Sequence, residues 1–182
     1  MKLIIMLNGA FGAGKTTVAE GLLEKIDDSM LFDPEIVGYM LRSMLPEDIK
    51  RNESKSGDFQ NYELWRVLTV DTAKRLKDKY GKHLIVPMTL RVPAYFTYIF
   101  NGFKEIDDET QHFCLQASRK TIFKRLRDRG EEEGNWCFQQ TEKCLHAYEE
   151  YDFGEYIQTD DVEINEVISS IMKKLNTTSF QK

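Results

Sequence analysis

The strongest chemical signal in the sequence is a glycine-rich segment that reads GAFGAGKT and matches the pattern GxxxxGK[ST] in full. Its glycines allow successive backbone N–H groups to turn toward a phosphate, and the helix that follows points its N-terminal dipole at the same anion. Lys15 supplies positive charge to the outer phosphates, and the Thr16 hydroxyl is a ligand for Mg²⁺. The sequence therefore predicts a site for ATP and Mg²⁺, since no NKxD string favours guanine. The predicted nucleotide-binding residues are Gly9, Ala10, Phe11, Gly12, Ala13, Gly14, Lys15, Thr16 and Thr17.

Asp33 is the second candidate for chemistry. It follows a short apolar run and precedes Pro34, which suits the first turn of a helix. At the carboxyl edge of a parallel sheet this carboxylate would lie beside the phosphate loop, able to accept a proton or hold a metal-bound water. Asp33 is thus predicted to be catalytic together with Lys15, although a helix N-cap is an alternative role that the same side chain can fill. The third predicted strand ends at Thr89 without an acid, so metal ligation would depend on Thr16, waters and Asp33.

The helix predicted after Asp33 carries Glu35, Gly38 and Arg42 on one face. A carboxylate, a residue without a side chain and a guanidinium could form a polar floor for a substrate, so Glu35 and Arg42 are predicted to bind it. The alternative is an ordinary solvated face. Glycine costs about 1 kcal/mol inside a helix, which favours the functional interpretation.

Six basic residues between positions 119 and 129 precede a loop that contains an acidic run. Arg125 and Arg129 stand one helical turn apart and share a face. We expect a lid near residues 125–140, in which Arg129 is catalytic because it neutralises charge on the transferring phosphoryl group. Arg125 is predicted to bind the nucleotide, and the other basic residues to remain in solvent.

An α/β frame must bring these residues together. Short apolar runs predict five strands, and apolar residues at three- and four-residue steps predict helices between them. Strands that alternate with helices favour a parallel sheet with helices on both faces, and the phosphate loop makes this a three-layer P-loop NTPase fold. The predicted strands are residues 2–7, 30–32, 83–88, 112–117 and 156–159, and the predicted helical segments are 17–26, 62–76, 137–148 and 164–175.

Composition and length restrict the class of protein. With 182 residues, 41% of them hydrophobic, the chain predicts one globular domain over residues 1–175, followed by a polar tail, 176–182. The segments 46–58 and 130–135 are predicted loops. A net charge of −5 argues against a nucleic-acid partner. Three cysteines without a CxxC pair and the lack of an 18-residue apolar run predict a cytoplasmic protein with reduced thiols and no transmembrane helix.

These residues resemble the tunicamycin-resistance ATP-binding proteins of bacteria. The matching strings are Asn8–Thr16, Asp33-Pro34-Glu35, Leu41–Met44 with Pro46, Phe59-Gln60 with Tyr62, Leu64-Trp65-Arg66, Ile85–Thr89, Ala117-Ser118, Arg125–Arg127 and Ile157–Asp160. The resemblance implies an ATP-binding protein with a fold like that of shikimate, gluconate and nucleoside kinases and of chloramphenicol phosphotransferase. It matches Lys15 and Thr16 to the nucleotide site, Asp33 to the catalytic acid of the related kinases, and Arg129 to the lid.

Two functions remain open at the level of the sequence. One is a phosphotransferase that moves the γ-phosphoryl group of ATP to a hydroxyl of a nucleoside-like or antibiotic molecule. The other is a nucleotide-dependent protein that sequesters a drug or contacts a membrane surface, or an ATPase without an acceptor. Asp33 and the arginine lid favour the enzyme, because a binding protein needs neither. A monomer and a homodimer both fit the sequence.

Overall fold

A computed structural model of the protein describes residues 2–179, and a five-stranded parallel sheet forms the centre of this part of the chain. The strands are β1 (Ile4–Gly9), β2 (Ser29–Leu31), β3 (His83–Pro87), β4 (Gln111–Gln116) and β5 (Tyr156–Gln158), in the order β2-β3-β1-β4-β5. In the central strand, Ile5 lies opposite Ile85 of β3 and Gln111 of β4. All six residues of β1 are buried, as a strand covered on both faces requires. The five predicted strands are confirmed.

Helices cover both faces of the sheet, which confirms the three-layer P-loop fold. The helices are α1 (Lys15–Lys25), α2 (Pro34–Met44), α3 (Glu47–Glu53), α4 (Glu63–Tyr80), α5 (Pro93–Ile106), α6 (Arg119–Asp128), α7 (Trp136–Glu150) and α8 (Ile164–Ser179), with a 3₁₀ turn at Phe59–Asn61. Alternate residues of β1 face opposite layers: Ile5 and Leu7 pack with helices α1 and α8, whereas Ile4 and Met6 pack with α2, α4 and α5. A third apolar cluster joins α6 and α7 beside β4.

The structure corrects the prediction at two places. The segment 46–58 is not a plain loop, because α3 occupies its first half; α3 buries none of its side chains, so no apolar periodicity marks it in the sequence. Helix α5 was not among the predicted helices. The polar tail of residues 176–182 stays a prediction: α8 ends at Ser179, and the last three residues lie outside the described part.

Within residues 2–179, none of the helices combines the length and the hydropathy that a membrane-spanning helix needs.

Candidate active site

The phosphate loop connects β1 to α1, and its shape depends on the absence of Cβ atoms. A Cβ added to Gly9 would lie 2.7 Å from the carbonyl oxygen of Leu115 on the neighbouring strand β4. Gly12 and Gly14 have φ angles of 83° and 100°, a region that L side chains rarely adopt. The glycine spacing in the sequence therefore corresponds to real constraints on the backbone.

The hydrogen-bond donors of this loop are backbone N–H groups and the ammonium group of Lys15. Helix α1 begins after Gly14 without a side-chain cap, which leaves the N–H groups of its first turn free for an anion. The ammonium group of Lys15 donates hydrogen bonds to the carbonyl oxygens of Gly9 (2.8 Å) and Ala10 (2.9 Å). Burial lowers the pKa of Lys15, so a nearby anion would stabilise its charge. This donor set fits the phosphates of ATP.

The protein offers few ligands for a metal ion by itself. Among residues 2–179, no three His, Cys, Asp or Glu side chains group together as a metal site. Thr16 lies in the first turn of α1 next to Lys15, as a ligand of phosphate-bound Mg²⁺ would. At the end of β3, where the sequence lacks an acid, Oγ1 of Thr89 is buried and has no hydrogen-bond partner in the described residues. These residues fit a Mg²⁺ ion that is held chiefly by the phosphates of the nucleotide.

Asp33 and Glu35 lie at the start of α2, close to the phosphate loop. Oδ1 of Asp33 accepts a hydrogen bond from the backbone N–H of Glu35 at 2.9 Å, so the capping role of Asp33 is present in the structure. Its catalytic role stays a prediction. Burial raises the pKa of Glu35, the charge of Asp33 raises it further, and the charge of Lys15 opposes both.

A cavity of about 370 Å³ opens beside the phosphate loop, and we call it the acceptor cavity. Phe11 of the loop forms part of its wall and meets Trp136 of α7 edge to face, with ring centroids 5.5 Å apart. Glu35 and Tyr39 of α2 also line the cavity. Charged and aromatic groups thus surround a space that adjoins the phosphate site, as a substrate pocket requires.

The predicted polar floor of α2 is only partly present. Arg42 and Glu35 both line the acceptor cavity, but Gly38 is buried and does not. The ring of Phe59 fills the space next to Gly38, where an added Cβ would lie 2.4 Å from a ring carbon. Arg42 lies over the same ring, 4.9 Å from its centroid, and donates to the carbonyl oxygen of Gly57 at 2.5 Å. Much of the Arg42 guanidinium is therefore occupied by contacts with other residues of the cavity wall, Phe59 and Gly57.

A second cavity, of about 190 Å³, lies on the other side of the phosphate loop, and both predicted lid arginines line it. Arg125 donates to the carbonyl oxygen (2.6 Å) and to Oγ1 (3.0 Å) of Thr159, which joins α6 to the segment after β5. The Arg129 side chain is exposed and has no hydrogen-bond partner among the described residues. Its charge contributes to lowering the pKa of Lys15, which places it near the phosphate site.

Asn8 is a positioning residue that the sequence analysis missed. Its Nδ2 donates to the carbonyl oxygen of Leu90 at 3.0 Å, and its Oδ1 accepts from the N–H groups of Leu90 and Gly9, each at 2.8 Å. The hydroxyl of Tyr148 donates to the same oxygen at 3.1 Å. Asn8 therefore fixes the segment after β3 against the phosphate loop. A buried amide at the end of an apolar strand was the available signal.

Comparisons with known proteins agree with this fold. The structure superposes on the solved structure of the tunicamycin resistance protein from Deinococcus radiodurans with a TM-score of 0.78, 28% identity and 96% of each chain covered. Shikimate kinase from Acinetobacter baumannii matches with a TM-score of 0.63 and 18% identity, over 100% of this chain and 96% of the other. A gluconokinase from Sinorhizobium meliloti matches with a TM-score of 0.62 and 14% identity, over 96% and 91%.

The two kinases, at their low identity, show the fold alone, whereas the first match confirms the resemblance to tunicamycin-resistance proteins. No curated protein matches the chain significantly in sequence. The model of the AAA domain family matches residues 4–150, which include the phosphate loop, the acceptor cavity and helix α6. The chain therefore belongs to the AAA domain family and has the P-loop kinase-like fold.

Proposed function

We propose that the protein is an ATP-dependent small-molecule kinase that transfers the γ-phosphoryl group to a hydroxyl of a molecule bound in the acceptor cavity. The observation that carries the proposal is the shared wall of the two sites. Phe11 belongs to the phosphate loop and also lines the acceptor cavity, so a molecule in the cavity would lie next to the terminal phosphate.

In this proposal the nucleotide extends from the phosphate loop into the 190 Å³ cavity. Its phosphates lie on the N–H groups of the first turn of α1, with Lys15 as the cation. Its base enters the 190 Å³ cavity, where Val18, Val162 and Ile164 provide an apolar wall. Thr16 would hold Mg²⁺ together with the phosphates, and the ion would neutralise charge in the transition state.

Phosphoryl transfer then follows from the placement of charge. The acceptor oxygen bonds to the γ-phosphorus, the bond from this phosphorus to the β,γ-bridging oxygen breaks, and ADP leaves. Lys15 and Arg129 stabilise the negative charge that develops on the phosphoryl oxygens. The hydroxyl proton passes to a carboxylate at the start of α2.

Two carboxylates are available for that proton, and we propose that they divide the role predicted for Asp33. Asp33 caps α2 and holds a negative charge that raises the pKa of Glu35. Glu35 lines the acceptor cavity, and its raised pKa makes it a better proton acceptor near neutral pH than an ordinary glutamate. Asp33 would then act on the hydroxyl mainly by fixing α2 and aligning Glu35.

Mass spectrometry of candidate acceptors after incubation with ATP and Mg²⁺ tests the proposal, because transfer adds one phosphate to the acceptor. Nucleosides, sugars and tunicamycin form the first panel, the last because of the name of the Deinococcus protein. Asp33→Asn retains a cap and Glu35→Gln retains a hydrogen-bonding side chain, so each variant removes only a carboxylate. We expect transfer to fall by roughly 10²–10⁴-fold in Glu35→Gln, which lacks the proposed proton acceptor. Transfer at the parental rate in both variants would contradict the mechanism.

A binding protein that sequesters a drug is the second candidate function. It is favoured by the aromatic groups of the acceptor cavity, where Phe11, Tyr39, Phe59 and Trp136 provide surfaces on which a ligand could stack without reacting. Binding of tunicamycin or a nucleoside that depends on ATP, with no phosphate gained and no ADP released, would support this function instead. The free thiols of Cys114, Cys137 and Cys144 support a reducing, cytoplasmic compartment for either function.

A further inference from the structure

Arg91 differs from Arg42, the other basic residue that lines the acceptor cavity, because its guanidinium has no hydrogen-bond partner among the described residues. It lines the cavity, and 27% of its side chain is exposed. Among residues 2–179, the only carboxylate within 4 Å is that of Asp58, whose Oδ2 lies 3.8 Å from the guanidinium, too far for a hydrogen bond. No described residue accepts a hydrogen bond from Arg91. Arg42, in contrast, is bound to Gly57 and stacked on Phe59.

The fold holds Arg91 firmly at this position. Asn8 binds both backbone groups of Leu90, the preceding residue, and so fixes the chain at Arg91 relative to the phosphate loop. Asp58 is also held, because its Oδ1 accepts the N–H of Gln60 at 3.0 Å while its Oδ2 faces Arg91. A preorganised, half-buried guanidinium with free donors lowers the cost of binding a ligand at that point.

The partner that the guanidinium of Arg91 lacks is an oxyanion. A guanidinium presents its N–H donors in a planar fork that matches the two oxygens of a carboxylate or a phosphate. The donors of the phosphate loop belong to the proposed nucleotide site, so they do not supply this interaction to a molecule in the acceptor cavity. The carboxylate of Glu35, on α2, makes that wall unfavourable for a second anion and favourable for a hydroxyl.

We propose that the acceptor is an anionic hydroxy compound whose carboxylate or phosphate binds Arg91 while its hydroxyl group faces Glu35. The proposal rests on the assignment of the cavity to an acceptor, and it adds the chemical class of the molecule. Asp58 acts as a positioning residue, since its charge orients the guanidinium without occupying its donors.

Tryptophan fluorescence tests the proposal without requiring catalysis. The chain has two tryptophans; Trp136 lines the cavity and is 55% exposed, whereas Trp65 is 1% exposed. The phosphate site is first filled with a non-hydrolysable ATP analogue and Mg²⁺, so that added anions cannot bind there. Gluconate and glucose 6-phosphate are then titrated, with glucose as their neutral counterpart, followed by uridine 5′-phosphate paired with uridine. The first probe reports a carboxylate, and the two phosphates report a phosphoryl group.

We expect at least one anion to bind roughly 10- to 100-fold more tightly than its neutral counterpart, as hydrogen bonds to a charged group imply. Arg91→Gln should abolish this preference, and Arg91→Lys should restore part of it, because lysine keeps the charge but not the fork. Arg75→Gln is the control, since Arg75 is exposed on α4 and pairs only with Asp71 among the described residues.

Equal affinities within every pair, or an anion preference that survives in Arg91→Gln, would overturn the proposal. A loss of affinity for the ATP analogue in Arg91→Gln would also overturn it, because Arg91 would then serve the nucleotide. The proposed kinase function is judged separately, by phosphate gain in mass spectrometry. If an anion binds through Arg91 but is never phosphorylated, the anion site stands and the kinase function is refuted. If neutral compounds are phosphorylated and Arg91→Gln does not change their phosphorylation, the kinase function stands and the anion site is refuted.

Discussion

Gly38→Ala tests how the structure builds the wall of the acceptor cavity. The added Cβ would lie 2.4, 2.5 and 2.7 Å from three carbons of the Phe59 ring, whereas ordinary van der Waals contact begins near 3.4 Å. The ring must therefore move by about 1 Å. It has little freedom to do so, because Trp65 and Tyr39 pack on it at centroid distances of 5.6 and 5.8 Å. Arg42 stacks on the same ring.

Gly21→Ala is the matched control, since it is also a glycine-to-alanine change inside a helix. Its Cβ would lie 2.2 Å from Cδ1 of Ile168, a close contact, but this atom is the terminal methyl of an aliphatic side chain and can move by a χ2 rotation, whereas a ring must move as a whole. The gain in helix propensity, about 1 kcal/mol, is common to both variants and cancels in their comparison. Overpacking against a rigid ring costs about 1–3 kcal/mol. Gly38→Ala should thus be about 1–3 kcal/mol less stable than Gly21→Ala, and melt roughly 2–12 °C lower.

Calorimetric melting and denaturant titration of both variants measure this difference. Because Phe59 lines the acceptor cavity and is absent from the nucleotide side, acceptor binding should weaken in Gly38→Ala while ATP affinity stays at the parental value. If Gly38→Ala proves as stable as Gly21→Ala, the ring of Phe59 does not occupy the space beside Gly38, and the wall of the cavity is built differently from our description.

Three further predictions concern charged groups of the site. Lys15→Ala should abolish ATP binding in a folded protein, and unchanged affinity in calorimetry would refute the phosphate-loop assignment. Arg129→Ala should lower turnover far more than ATP affinity, because its charge acts on the transferring group; equal losses would indicate a simple binding residue. Glu35 has a folded-state pKa raised above its ordinary 4.5, so it contributes stability below that pH and loses this contribution as the pH rises through the folded pKa. Glu35→Gln should therefore melt above the parent at pH 7–8 and lose this advantage near pH 4, and an advantage that does not change with pH would contradict the raised pKa.

The phosphate site and the fold class could be predicted from the sequence because their signals are local. The glycines of the loop, Lys15 and Thr16 are consecutive, and the buried strand before them is a continuous apolar run. The loop needs backbone conformations that residues other than glycine rarely adopt, so the spacing of the glycines in the sequence already predicts the shape of the loop. For the same reason, the capping role of Asp33 was visible from its place before Pro34.

The acceptor cavity depends on contacts between residues far apart in the chain. Gly38 shared a helix face with Glu35 and Arg42 in the sequence, but Phe59, 21 positions later, packs on it and removes it from the polar surface. Helix α3 escaped prediction because it buries no side chain and carries no apolar stripe.

Arg91 shows most clearly what only the tertiary structure decided. As one arginine in a chain with 25 lysines and arginines, it carried no signal of function in the sequence. The clamp of Asn8 on Leu90 spans 82 positions, and it is this contact that brings Arg91 to the cavity beside the phosphate loop. A local pattern can specify backbone shape and a phosphate site, but the pairing of a free cation with an open cavity requires the folded chain, because neither exists until distant segments pack together.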